Sequence, residues 1–243
     1  MKSTQRNLIT LFLLSVPLTA IAQTDGPGWV ELAVHNFGAP INTMWAEGEL
    51  TFAADGTMVY CSAREDNTPV NMGIPINAAP ATDVDPLRLG DDREPWITAD
   101  GNTIYFKSDR LATTSPRNNN DVFVTRKVNG EWSTPEIVGY PISTNEGDEH
   151  CPAILQDGET LCFASRRACG YGGMDIWGAQ QLSENEWATA FNLGPRINTA
   201  AADMCPALPP GGETMTWFSS RQDNSLGNFD IFWTSMSNVK AAP

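Results

Sequence analysis

Four acidic residues recur at one position of a repeated motif: Glu47, Asp92, Glu149 and Asp203. Brought to one mouth, four carboxylates form an oxygen-only ring that suits Ca²⁺ or another hard cation. Two of them held about 5–10 Å apart across a sugar linkage would instead supply the acid and the base or nucleophile of a glycoside hydrolase or lyase. Each unit also carries one arginine: Arg64, Arg110, Arg167 and Arg221. Matched acids and arginines point to structural ion pairs, because a guanidinium binds a carboxylate in a two-pronged fork that locks a loop. Ser62, Ser108, Ser165 and Ser219 accompany the arginines. A serine that recurs in every unit, with no catalytic histidine beside it, reads as a loop fastener.

A second group combines softer atoms. His150 and Cys151 in one unit match Met204 and Cys205 in the next, a set with copper-like preferences but no standard metal spacing. A disulfide between Cys151 and Cys205 is the simpler reading in an oxidising compartment. Cys162 with Cys169 is a second pairing, and Cys61 is left over. Tyr171, set among Gly170, Gly172 and Gly173, reads either as a packing residue of the loop, the commoner role of a lone loop aromatic, or as a stacking residue for a sugar or peptide. The ligand-binding candidates are therefore Glu47, Asp92, Glu149, Asp203 and Tyr171, and no residue qualifies as catalytic.

The elements that position these residues follow from the motif Thr-x-x-aromatic-x-Ser-x-Arg. Its copies are Thr57/Tyr60/Ser62/Arg64, Thr103/Phe106/Ser108/Arg110, Thr160/Phe163/Ser165/Arg167 and Thr214/Trp217/Ser219/Arg221, with serines 46, 57 and 54 residues apart. A period near 50 with short β-type runs signals an array whose units bury their apolar faces only against one another. In the third unit Cys151–Leu155 reads as a strand and Asp157-Gly158 as a hairpin turn. Thr160–Ser165 is the second strand, Asp175-Ile176-Trp177 opens a third, and Trp187 begins a fourth that ends in Leu193-Gly194-Pro195-Arg196-Ile197-Asn198-Thr199. Asp121, Asp175 and Asp230 each open a third strand, as turn-forming aspartates do. Four antiparallel strands per unit is the build of a propeller blade.

The fourth unit stops after its third strand, and the missing pattern stands at the other end of the chain. Trp29-Val30-Glu31-Leu32, followed by Asn36-Phe37-Gly38-Ala39-Pro40-Ile41-Asn42-Thr43, repeats the fourth-strand signature. The expectation is an all-β, four-bladed propeller closed by an N-terminal strand in its last blade, which hides the sheet edges. The first blade is degenerate. Only three residues separate Arg64 from Thr68, so its third strand and half of its fourth are absent; Ala78–Asp92 is the candidate replacement, with Leu87 and Leu89 as its apolar positions.

Residues 1–22 have the form of an export signal. Lys2 and Arg6 precede the apolar run Leu8–Leu18, too short to span a bilayer, and Ala20-Ile21-Ala22 offers small residues for cleavage before Gln23. Residues 23–243 then form one propeller domain, periplasmic or secreted, with no membrane-spanning segment. The formal charge of -14 grows more negative once Lys2 and Arg6 leave, which disfavours nucleic acid.

The pattern Pro152…Asp157-Gly158-x-Thr160-x-x-Phe163-x-Ser165-x-Arg167, then Asp175-Ile176-Trp177, Trp187 and Leu193-Gly194-x-x-Ile197-Asn198-Thr199, resembles the TolB-type, WD-repeat-like β-propeller repeat of bacterial exported proteins. The likeness runs from Trp29 to Thr234 and is weakest in the first unit. It implies a propeller fold and a binding or scaffolding role in the cell envelope; the expected partner is a protein or an envelope glycan, and no cofactor is expected other than the candidate Ca²⁺ of the acidic ring. It does not imply one activity, since propellers host many.

Overall fold

The structure is a computed structural model that describes residues 47–55, 57–62, 71–74, 82–83, 91–110, 119–145, 147–155, 157–208, 213–222 and 228–236. Among them the chain forms four antiparallel sheets and no α-helix. The first sheet runs β1 (Glu47–Phe52), β2 (Met58–Ser62), β3 (Asn71–Ile74) and β4 (Thr82–Asp83) in order. The second holds β5 (Arg93–Ile97), β6 (Thr103–Ser108), β7 (Asp121–Val128) and β8 (Glu131–Trp132), with β9 (Glu136–Ile137) returning onto β7. The third repeats that plan: β10 (Glu149–Ile154), β11 (Thr160–Ser165), β12 (Asp175–Ser183), β13 (Glu186–Trp187), and β14 (Phe191–Asn192) on β12. The fourth has three strands, β15 (Asp203–Ala207), β16 (Thr214–Ser219) and β17 (Asp230–Ser235).

The hairpins show why the Asp-Gly turns recur. Gly101 and Gly158 take φ of 73° and 72°, the left-handed region that glycine enters without penalty. The preceding aspartate accepts the amide two residues on: Thr57 to Asp55 at 2.8 Å, Asn102 to Asp100 at 3.1 Å, and Glu159 to Asp157 at 2.9 Å. Asp157 also takes the Thr160 amide and hydroxyl. Such Asx turns are built locally and need no tertiary help.

Side chains alternate between the two faces of each strand, so every inner sheet packs both ways. Val59 and Cys61 of the first sheet meet Ile97, Ile104, Phe106 and Phe123 of the second. Tyr105, Val122 and Val124 on the second sheet's other face meet Leu161, Phe163, Trp177 and Ala179 of the third. Cys162 and Ile176 then meet Met215 and Trp217 of the fourth. Each fully buried Leu, Ile or Phe contributes about 1.5–3 kcal/mol, so these three layers hold the array together.

The innermost strands run in series, with β1 against β5, β5 against β10 and β10 against β15. Among the described residues no comparable packing joins β15 to β1. The closing segment expected at 29–43 lies outside the described residues. The first sheet takes a strand from Ala78–Asp92, the expected replacement, but fills its third place differently from the sequence expectation. Asn71–Ile74, read as the tail of a fourth strand, takes the third-strand place beside β2, and Thr82–Asp83 supplies the fourth. The edge of β2 needs a partner for its amides and carbonyls, and the short connection after Arg64 delivers the next extended segment there. Leu87 and Leu89 lie outside the described residues.

Candidate functional site

The repeated polar residues form one joint, used three times. Asp92, Glu149 and Asp203 open or directly precede the innermost strands, and all three are fully buried. Each takes the arginine of its own unit: Arg110 on Asp92, Arg167 on Glu149 at 3.3 Å, and Arg221 on Asp203 at 2.7 Å. The arginine in turn donates its backbone amide and Nε to its own serine. These bonds are 3.1 and 3.1 Å for Arg110 to Ser108, 3.2 and 3.1 Å for Arg167 to Ser165, and 3.2 and 2.8 Å for Arg221 to Ser219.

Aromatic faces support the guanidinium. Arg110 lies 5.2 Å from the centroids of both Phe106 and Phe123. Arg167 lies over Phe163 and Trp177, and Arg221 over Trp217 and Phe232, at 4.5–5.5 Å. The aromatic of the first motif and the aromatic after the third-strand aspartate thus serve one cation.

The acids also bind the loop arriving from the preceding sheet. The Thr144 amide and hydroxyl donate to Glu149 at 3.0 and 3.2 Å, and those of Thr199 to Asp203 at 2.7 and 2.8 Å. One carboxylate therefore ties its own Ser-x-Arg turn to the neighbouring unit's Ile-Ser/Asn-Thr turn. Burial pushes Asp203 up, but Ser219, Arg221 and Thr199 outweigh it and hold the carboxyl below its usual range. In the first unit Glu47 and Ser62 are paired across β1 and β2; Arg64 and the side chains of Glu47 and Ser62 lie outside the described residues.

A different arrangement occupies the next turn of the innermost strands. Each carries a bulge at one column, between Gly48 and Thr51, Arg93 and Trp96, His150 and Ala153, and Met204 and Ala207. The column residues Glu49, Glu94, Cys151 and Cys205 take φ of 50°, 55°, 48° and 52°. The left-handed backbone re-aims the amide at a bulge. Here it produces a ladder from sheet to sheet. The Glu94 amide donates to Glu49 Oε2 at 3.0 Å, and the Cys151 amide donates to Glu94 Oε2 at 2.7 Å. Cys151 and Cys205 are joined by a disulfide, Cα–Cα 4.7 Å, which takes over the carboxylate's linking role at the last step. Cys61 and Cys162 are buried free thiols and Cys169 an exposed one, so the pairing of Cys162 with Cys169 does not form.

Around this ladder the repeat breaks. The cross-strand pairs at one level are Gly48 with Cys61, Arg93 with Lys107, His150 with Ala164, and Met204 with Phe218. Arg93 Nε binds both oxygens of Asp91 at 2.9 and 3.0 Å, and Lys107 Nζ stands 3.9 Å from Asp91. His150 Nδ1 lies 3.3 Å from Glu94 Oε1. Burial raises the Glu94 carboxyl, but His150 and the Cys151 amide prevail and keep it below the usual carboxylate range. Arg93, Lys107 and Asp91 were not singled out from the sequence; their signal was departure from the column, legible only once cross-strand partners are known.

Tyr171 is half-exposed at the loop between β11 and β12, and its amide donates to Asp175. That loop lies at the same end of the third sheet as Glu149, because Glu149, Ser165 and Asp175 are successive cross-strand partners. Among the described residues no group of three or more His, Cys, Asp or Glu lies close enough to hold a metal. A groove of about 560 Å³ opens between the second and third sheets near Thr98, Tyr105, Gln181 and Glu184. Arg126 bridges it, donating to the Glu184 carbonyl at 3.0 Å and Asn185 Oδ1 at 3.2 Å.

No family model matches the chain, and no curated protein matches it. Solved structures do. A putative TolB from Agrobacterium tumefaciens is 14% identical with TM-score 0.54, over 82% of this chain and 61% of that one. TolB from Acinetobacter baumannii is 11% identical with TM-score 0.54, over 79% of this chain and 42% of that one. The α-L-arabinofuranosidase Arb93A from Fusarium graminearum is 10% identical with TM-score 0.50, over 79% and 62%. This chain therefore spans about 60% or less of the length of these neighbours. At such identities the likeness is one of fold: the chain is all-β and TolB-like.

Proposed function

We propose that this chain is an exported, non-enzymatic β-propeller that binds a protein or glycan partner in the bacterial cell envelope. Its four sheets are the blades, Trp29–Leu32 supplies the outermost strand of the last, and residues 1–22 are removed on export. One observation carries the non-enzymatic reading: Asp92, Glu149 and Asp203 are fully buried and each is held by an arginine, with hydroxyl and amide donors added on Glu149 and Asp203. A glycosidase acid and base must reach substrate, and these cannot without dismantling the joints that join the sheets. The surface left for a partner is the end of the innermost strands where Asp91, Arg93 and His150 depart from the repeat, with Tyr171 at the same end. Residues that do not repeat are free to carry specificity, whereas those that repeat serve every joint alike.

Calorimetric titration of the processed protein with soluble peptidoglycan fragments, run beside a panel of aryl glycosides, tests the reading. Saturable binding without turnover is expected, weakened about tenfold or more by Arg93→Ala, which removes a charged contact without opening the core. Release of product from any glycoside would overturn it in favour of the small propeller-type hydrolase or lyase. N-terminal sequencing of the exported protein is expected to begin at Gln23.

A further inference from the structure

The end of the third sheet that carries Glu149, Ser165 and Asp175 is crowned by one loop and two flanking turns. The loop, 166–173, is exposed along nearly its whole length. On one side Arg167 Nη1 donates to the Pro141 carbonyl at 2.7 Å, and Gly147 lies against the backbone of Arg166 and Arg167. On the other the Gly173 amide donates to the Ala201 carbonyl at 3.0 Å, and Gly172 packs on Thr199 and Ala200. The two turns are closed by matching bonds, from the Ile142 amide to the Gly139 carbonyl and from the Ile197 amide to the Gly194 carbonyl, both 3.1 Å. Their tips are Tyr140-Pro141 and Pro195-Arg196. A turn fastened at its base holds its tip residues in a fixed place.

Four side chains on this surface serve no joint between sheets. Tyr140 is 83% exposed and Tyr171 49%. Arg166 and Arg196 are exposed, and among the described residues neither has a carboxylate within ion-pair reach. Their positions do not repeat. Tyr140 stands where the next unit has Pro195, Arg196 where the preceding unit has Pro141, and Arg166 where the second and fourth units have Asp109 and Ser220. The acids of this end are turned inward: Glu149 and Asp203 are 0% exposed and Asp175 1%. Asp148 is half-buried and accepts the Asn120 amide at 3.1 Å. In a chain with 29 acids and 15 bases, the charges left facing solvent on this loop and its two turns are arginines.

We propose that this surface binds an acidic glycan, with Tyr140 and Tyr171 stacking on sugar rings and Arg166 and Arg196 taking its carboxylates. The inference rests on the binding role proposed for the chain and narrows its partner to a sugar that carries negative charge. A phenol presents a flat apolar face to the C–H face of a sugar and a hydroxyl to its rim. A guanidinium binds a carboxylate through two parallel donors. A protein partner would ask for an apolar centre in the patch. The exposed aliphatic side chains lie elsewhere: Leu50 on β1, Val128 and Leu182 at the opposite ends of β7 and β12, and Ile231 on β17. Nucleic acid also stacks and carries anions, but its dense charge meets the -14 of the whole chain, whereas two arginines match a few spaced carboxylates.

Calorimetric titration of the processed chain with alginate oligomers, and with their methyl esters, tests the inference. The acid form should bind about tenfold or more tightly than the ester at low salt, and lose most of that advantage at high salt. Tyr140→Ala and Tyr171→Ala should each lower affinity about threefold to tenfold. The double variant Arg166→Gln/Arg196→Gln should bind acid and ester alike. All four side chains are exposed, so each variant should melt with the wild type. An NMR titration of the wild type needs no variant, and should move the backbone signals of 139–142, 166–173 and 194–197. Undiminished binding in the three variants, or shifts confined to the strands around Arg93 and His150, would overturn this surface and leave a binding role intact. Equal affinity for acid and ester in the wild type, or no saturable binding of the acid form, would overturn the acidic glycan. Cleavage of the oligomer would overturn the non-enzymatic reading beneath it, a failure distinct from loss of binding.

Discussion

A carboxylate that binds an arginine in water contributes little, and one that does so in a closed joint cannot be removed cheaply. Asp203 and Arg221 have side chains 0% and 14% exposed, so Asp203→Ala leaves a largely buried guanidinium without its anion. Removing one partner of such a pair costs about 3–5 kcal/mol, and urea denaturation should find a loss of that order. A loss below about 1 kcal/mol would mean water already reaches the joint. Glu94 behaves differently because its partners are an amide and an imidazole. Its carboxyl is held below the usual range, so its contribution is present above ordinary carboxylate values and fades as pH falls through the depressed one. Glu94→Ala should therefore cost stability at neutral pH, about 1–2 kcal/mol, and much less at pH 3, as parallel melting curves at the two pH values would reveal. The buried acids Asp92, Glu149 and Asp203 were legible as a repeated column. Their partners were only half legible: Arg and Ser stand in the motif, whereas Thr144 and Thr199 come from the neighbouring unit's turn.

At the scale of the element, the bulges and glycine contacts decide what each strand can do. A bulge at the same column in β1, β5, β10 and β15 places one left-handed residue per sheet, and those residues link the sheets in series. Cys151 and Cys205 close a segment separated by 54 residues, so in the chain-entropy picture their disulfide stabilises by about 4 kcal/mol. The double variant Cys151→Ser/Cys205→Ser should melt lower by about 10 °C, and reductant should have no further effect on it. Gly172 packs against the backbone of Thr199 and Ala200, where a Cβ has no room, while Gly139 has nothing within 4 Å of an added Cβ. Gly172→Ala should destabilise the third-to-fourth sheet contact measurably, and Gly139→Ala should be close to neutral in the same assay. The Cys151–Cys205 pairing was legible in sequence, whereas the glycine contacts were visible only as a loop, because a close approach depends on which two turns meet.

For the whole molecule, the repeat predicts what each face must cover. Ile176 in β12 is fully buried beneath the fourth sheet, and its counterpart Ile231 in β17 is 69% exposed, with Trp233 beside it at 72%. Ile176→Ser should cost about 3 kcal/mol or more, and in the proposed closed propeller Ile231→Ser should approach that loss, whereas a change below about 0.5 kcal/mol would mean that the face stays open in solution. Equal losses would mean that another part of the chain covers the last sheet, as a closed ring requires.

The sequence by itself determined the unit and its punctuation. Hairpins at Asp-Gly, the alternation that makes each sheet two-faced, and the recurring acid, serine and arginine all act within a few residues or repeat at a constant interval, so they survive in one dimension. The tertiary structure alone decided which unit's threonine caps which carboxylate, that β3 and β4 complete the first sheet, and that Arg93 and His150 lie at the same level of neighbouring innermost strands. Those outcomes depend on the stagger between neighbouring sheets, a quantity a sequence does not encode locally.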